Sequence, residues 1–275
     1  MYAEQPSPNL DRLSVFIGVT VLTPVLIRFV DISPRTIGFD VLGSPVSFEM
    51  TSTSLTVIML TALSCMGANA IIRTHPRMSQ PGRPRAFTYW ILPGLTGLNA
   101  AVLLERASTW SLWWAGLVLT GSVIALVVLA EFSTVDATRL GYARSRLILN
   151  VVAYALACVS FTLIYGTRGR SVVTAPAISA AGFVLAFELL NTTEVRLRQA
   201  VLYALFTALM LGESAWALNY WRLSDLAGGM ILLLIFYTTV GVVQQLLLER
   251  LDRRTLVEFA FIAAIAILLI LRLDA

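Results

Sequence analysis

The chain has 275 residues, 57% of them hydrophobic and only 13% charged, about half the ~25% charge of a soluble domain. With a mean hydropathy of +0.80 it is too apolar for a soluble enzyme, and its length leaves room for several spans of roughly 20 residues joined by short loops. The net charge of +4 comes from twenty basic residues, every one an arginine. They lie in short loops rather than in a stripe, which argues against a nucleic-acid partner.

Composition also removes chemistry. Without lysine there is no Schiff base with retinal or pyridoxal phosphate and no phosphate-loop lysine. A single histidine, His75, makes a bis-histidine haem or a multi-histidine zinc site impossible within the chain. Cys65 and Cys158 both sit in apolar runs and read as small buried thiols rather than a disulfide. No cofactor and no metal is expected.

In chain order, the N-terminal tail 1–12 is polar, acidic and proline-rich. It lacks the basic start of a cleaved signal peptide, so the first span is expected to be retained. That span covers about 13–30 and contains Pro24. A mixed, Gly/Pro-punctuated loop follows at 31–48, then a second span at about 50–72. The segment after it, RTHPRMSQPGRPR, is the most basic of the chain and carries His75, which reads as solvated or interfacial. The third span, 87–104, holds Pro93-Gly94 and Gly97, a place where a helix can break and free backbone carbonyls. Spans four to nine follow at 110–131, 147–166, 171–190, 199–220, 225–247 and 255–272.

The expected fold is thus all-α: a polytopic integral membrane helix bundle of about nine transmembrane helices, eight being possible, in one transmembrane domain over 1–275. Placing the N-terminus inside puts thirteen arginines in inner segments and seven in outer ones, which predicts N-in/C-out. Trp110, Trp113, Trp114, Trp216, Tyr220 and Trp221 then form an outer aromatic belt. A faint repeat is visible as well. Glu131, Glu188 and Glu249 each close a span and precede a second acid and arginines, 57 and 61 residues apart, as in stacked helical hairpins.

The chemistry-bearing residues are few. Glu213, in LMLGESAWALNYW, lies about 21 Å along its span from Gln199. A carboxylate there is costly unless paired, protonated or wetted, and so marks a candidate ion or solute site. Asn99 and Glu105 on the third span fall toward the same outer side. Near the inner side Glu188 has Arg196 and Arg198 in reach. Glu131, Glu188 and Glu258, with Asn69, Asn150, Gln244 and Gln245, lie at one depth; if they face one another they line a cytoplasmic vestibule for a cation or a phosphate-bearing lipid head group. Asn191-Thr192-Thr193 matches a glycosylation sequon but falls on the inner side, where it is silent. Zinc-protease, intramembrane serine-protease and paired-aspartate diphosphate motifs are absent from the sequence.

Three functions fit. A small-solute or ion transporter or permease-like protein would use Glu213 and Asn99 in a shared cavity. A membrane enzyme on a lipid or isoprenoid would use Glu131, Glu188 or Glu258 as acid/base groups. A non-catalytic subunit would serve an oligomer or a membrane complex. All three place the chain in the lipid bilayer of a cell membrane, as a multi-pass protein without a catalytic residue assigned.

Overall fold

The computed structural model describes residues 8–30, 35–41, 44–79, 86–136, 141–191, 195–221, 223–250 and 252–274. Its helices are α1 (Leu10–Arg28), α2 (Ser52–Ile72), α3 (Ile91–Glu105), α4 (Trp110–Thr134), α5 (Tyr142–Tyr165), α6 (Ser171–Leu190), α7 (Leu197–Leu218), α8 (Asp225–Leu247) and α9 (Arg253–Asp274). The first eight spans, with Phe87–Glu105 as the third, are long and apolar enough to cross a membrane. In α9 the apolar run is shorter, Leu256–Ile270, with charges at both ends. The protein is a multi-pass helical membrane bundle of eight to nine spans. Leucines and valines such as Leu22, Leu26, Val118, Leu119, Leu205 and Leu209 stand exposed on its helices, the surface that lipid requires.

Capping, not apolarity, sets several helix ends. α1 starts at Leu10, ahead of the apolar run, because Asn9 Oδ1 accepts the N–H groups of Asp11 and Arg12 at 3.0 and 3.1 Å. α2 opens on a reciprocal pair: Thr51 Oγ1 accepts from Ser54 N–H at 3.3 Å and Ser54 Oγ accepts from Thr51 N–H at 2.7 Å, the capping-box arrangement. Thr109 Oγ1 and Ser224 Oγ cap α4 and α8 in one direction, accepting the N–H groups of Leu112 and Ala227 at 3.3 Å each.

Two features differ from the sequence-based expectation. The loop after α1 contains an antiparallel hairpin, β1 (Arg35–Val41) with β2 (Ser44–Met50). Its signal is in the sequence: Thr-Ile-Gly-Phe-Asp-Val alternates polar and apolar with period two, and the register sets Ile37 opposite Phe48 and Phe39 opposite Val46. The third span does not break at Pro93-Gly94. It begins as a 3₁₀ turn, Ala86–Trp90, and continues as α3 from Ile91. Pro93 therefore sits in the first α-helical turn, where its missing N–H has no intrahelical partner to lose.

The chain divides into two compact units, Met1–Leu149 and Asn150–Ala275, the boundary falling within α5. In unit 1, α2 packs on α3, α3 on α4, and α1 on both α2 and α4. In unit 2, α6 packs on α7, α7 and α6 on α8, and α8 on α9. Lipid tails are as apolar as leucine, so helices in a bilayer associate through close contact and hydrogen bonds. Small residues supply the contact. A Cβ on Gly97 would come within 2.8 Å of the Leu60 carbonyl oxygen, and one on Gly94 within 2.7 Å of Cys65 Sγ. In unit 2 a Cβ on Gly229 would come within 2.1 Å of Thr162 Oγ1 and 2.7 Å of its Cα. Hydrogen bonds finish the far end of α5: Tyr165 O–H donates to the Leu218 carbonyl at 3.0 Å, and Arg168 bonds the Leu223 carbonyl and pairs with Asp225 at 2.8 Å.

Gly229→Val should therefore destabilise unit 2, by an overpacking cost of about 1–3 kcal/mol or more, because the obstacle is backbone. Gly18→Ala, where nothing lies within 4 Å, should be neutral. Thermal unfolding of both variants in the same detergent checks the contrast; equal midpoints would contradict the α5–α8 packing.

Candidate functional site

The structure separates the five sequence-derived candidates by burial. Glu213 is exposed on α7, on the side of that helix away from the seam where a Cβ on its neighbour Gly212 would meet Ser179 Oγ of α6 at 2.2 Å. Glu258 is exposed on α9 and makes an i,i+4 ion pair with Arg254 at 3.0 Å, a solvent-screened contact of small energetic weight. Asn99 of α3 is 3% exposed, Glu131 of α4 is 2% and Glu188 of α6 is 7%. Among the described residues, no group of three or more His, Cys, Asp and Glu side chains is placed to hold a metal ion.

Asn99 and Glu131 belong to unit 1, whose interior carries a run of polar side chains. On α2, Ser64 is fully buried and donates its hydroxyl proton to the Leu60 carbonyl at 2.7 Å. It faces α3 at Gly97, where an added Cβ would lie 2.8 Å from Ser64 Oγ. On α3, Thr96 is 4% exposed and bonds back to the Leu92 carbonyl at 2.7 Å. These hydroxyls satisfy themselves on their own helices, so the run is polar without being strained. Next to it, Cys65 donates to the Trp90 carbonyl at 3.5 Å. Glu131 lies within Coulombic reach of Cys65.

His75 lies in the turn after α2, where its charged neighbours in the sequence disguise its burial. Placed between Arg73 and Arg77 in the most basic loop, it reads as solvated, but it is only 2% exposed. The cause is local. Three-residue turns carry the chain back from α2, with His75 N–H bonded to the Ile72 carbonyl at 3.0 Å. His75 Nδ1 then accepts the Arg77 N–H at 3.2 Å. The imidazole packs edge-on against Phe132, centroids 4.8 Å apart, directly beside Glu131 in the chain. Outside the run, Arg77 pairs with Asp136 at 3.1 Å, tying the segment after α2 to the end of α4. Unit 1 thus buries an amide, two hydroxyls, an imidazole and a carboxylate on α2, α3, α4 and the turn after α2, with the half-buried thiol of Cys65 on α2.

Unit 2 holds its buried carboxylate differently. Glu188 lies in the last turn of α6, and beside it Gln244 of α8 donates to the Leu189 carbonyl at 3.4 Å. Asn69, in unit 1, accepts from Arg73 Nε at 3.1 Å. Of the inner-depth residues, Asn69, Gln244 and Glu258 thus have partners within their own unit. The third member of the glutamate repeat, Glu249, is exposed past the end of α8 with φ +54°, unlike Glu131 and Glu188. The sequon residues Thr192 and Thr193, and Glu194 of the repeat, lie outside the described residues.

Two variants test this placement. Asn99→Leu should cost about 1–3 kcal/mol of stability by stranding buried polar neighbours, whereas Glu213→Gln should shift the unfolding midpoint negligibly. A destabilised Glu213→Gln protein would overturn the exposed position of that carboxylate.

Comparison with known proteins returns one family model, described as "Protein of unknown function (DUF5656)", which matches residues 32–273. No curated protein and no solved structure matches the chain.

Proposed function

The chain belongs to this family of unknown function, and we propose that it is a small-solute or ion transporter, permease-like in construction, with its pathway inside unit 1. The observation that carries the proposal is the burial of Glu131 together with His75, each 2% exposed, at one end of a polar run. An ionisable side chain enclosed among membrane helices is costly and marks ion or proton paths. Histidine takes up and releases protons readily, and His75 packs on Phe132, the residue after Glu131, so the two residues are suited to exchanging a proton for a cation or a protonated solute. Glu213, exposed, is not part of this path.

In this reading the membrane is the plasma membrane or inner membrane, and the end of unit 1 carrying His75 and the arginine-rich loop faces the cytoplasm. The solute passes between α2 and α3 along Ser64, Cys65 and Asn99. In the described conformation the glycines hold α3 flush against α2 and close that path. Passage then needs a small sliding of α3, a shear motion of packed helices.

Cys65 reports on that motion. In a Cys158→Ala background reconstituted into vesicles, a membrane-impermeant thiosulfonate should label Cys65 from at least one side, and Glu131→Gln should change the labelling rate by about tenfold through altered occupancy of the open state. Labelling only by a membrane-permeant maleimide, at a rate that Glu131→Gln leaves unchanged, would sink the transport reading.

A further inference from the structure

At the opposite end of unit 1 from His75, the ends of four helices enclose a cavity of about 200 Å³. Arg28, the last residue of α1, and Glu105, the last residue of α3, both line it. Ser52, Thr53 and Thr56 from the start of α2 and Trp113 from the first turn of α4 complete the wall. All of these are helix termini, so the cavity lies where span ends meet the polar boundary of a bilayer.

The two charges share the cavity and do not pair. Among the described residues neither Arg28 nor Glu105 forms an ion pair, and Arg28 is held instead by aromatic rings. Its guanidinium carbon lies 4.7 Å from the centroid of Trp110 and 5.1 Å from that of Trp113. Trp113 is itself 4% exposed and locked edge-on between Trp110 and Trp114, at 5.8 and 5.1 Å. A cation–π contact positions the guanidinium without engaging its N–H donors with an oxygen. The arginine is thus oriented by a rigid wall and keeps its hydrogen-bonding edge available. A charged pair that neutralised itself would form a bidentate bridge at the first opportunity. Here cation and carboxylate line one cavity without bridging, and that cavity is far larger than one water requires and smaller than a drug-sized pocket.

We propose that this cavity binds a compact zwitterion, its anionic group on Arg28 and its ammonium group on Glu105. A purely anionic ligand would leave Glu105 opposed to it, and a purely cationic one would be repelled by Arg28. The hydroxyls of Ser52, Thr53 and Thr56 offer further donors and acceptors for the anion. Two sources carry this chemistry: the head group of a phosphatidylethanolamine lipid lying at the boundary, and a free soluble zwitterion. The site stands on its own geometry and does not depend on solute passage past Glu131.

The test uses the full chain purified in detergent, following thermal unfolding and intrinsic tryptophan fluorescence. Titrants are phosphatidylethanolamine, phosphatidylglycerol, soluble phosphoethanolamine and glycine. Phosphatidylethanolamine should stabilise the protein and shift its fluorescence, and Glu105→Gln and Arg28→Gln should each weaken that response by about tenfold, the effect of losing one charge-assisted contact. A response to phosphoethanolamine or glycine as strong as to the lipid identifies the free zwitterion as the ligand. A response to the lipid alone identifies the head group. Glu105→Gln leaves the aromatic wall intact, and Arg28→Lys retains the charge, so these two carry the test if Arg28→Gln fails to fold. Equal responses to phosphatidylethanolamine and phosphatidylglycerol, no response to any titrant, or an unchanged response in Glu105→Gln would overturn the proposal. A failure here leaves Cys65 labelling untouched, and a failure of Cys65 labelling leaves this site untouched.

Discussion

The contact of α3 with α2 at Gly97 is the constraint on which unit 1 depends. A backbone carbonyl, that of Leu60, occupies the space a side chain would need, and a bilayer offers no hydrophobic force to hold helices together at longer range. Close approach therefore brings backbone and short polar side chains into the same layer. Ser64, Cys65, Thr96 and Asn99 are buried or half-buried because the glycines leave no room for lipid or bulky residues between them. The polar interior follows from the packing device and does not have to be assembled against it. Apolar clusters pack in the same unit: Leu104, Trp113 and Leu117 toward one end, and Leu13, Ala68, Ile71, Ile124, Val128 and Phe132 toward the other.

Unit 2 reaches the same end with different parts. Gly182 and Gly212 let α6 and α7 interlock with Leu211 and Ser179, and Gly228 lies against the ring of Tyr165. Asn219 donates to Ser171 Oγ and Thr174 Oγ1 at 3.0 and 2.9 Å. Several of its polar bonds between helices lie at one end, where the turns are, and Glu188, well buried among the described residues, sits at the other. Unit 2 also buries polar side chains within its helices, Ser160 and Thr207 among them.

Spans were legible because apolar runs of this length have few soluble alternatives, and their number and order follow from the sequence. Their ends were less so: Asn9 and Thr51 decide where α1 and α2 begin, and a cap is one residue against twenty. The direction of each side chain was not legible at all. Hydropathy is nearly uniform around these helices, so Glu213, on an exposed face, and Glu131, on a buried one, carry the same signal in the sequence. Glu213 drew attention by its depth along the span, a quantity that says nothing of azimuth. His75 was masked by its arginine neighbours, although the Pro76 that follows it and the short turn after α2 bring it back toward the bundle. The hairpin 35–50 carries a period-two signal over Thr36–Val41, but its glycines and proline give the same segment the composition of a loop.

The polar ties at the end of α5 also fix an order of events. Tyr165 and Arg168 find their acceptors on Leu218, Leu223 and Asp225, more than fifty residues further along the chain. In a chain that enters the membrane from its N-terminus, α5 is in place long before those acceptors exist. Its tyrosine and arginine must wait at the water boundary while α6 and α7 pair with each other. Only when the turn into α8 arrives do the bonds close and the glycine pair of α8 seat on α5. Biogenesis of this half is therefore a latch rather than a zipper, and a nascent chain arrested before residue 218 would present α5 to the membrane's quality-control machinery with its polar end still unlocked.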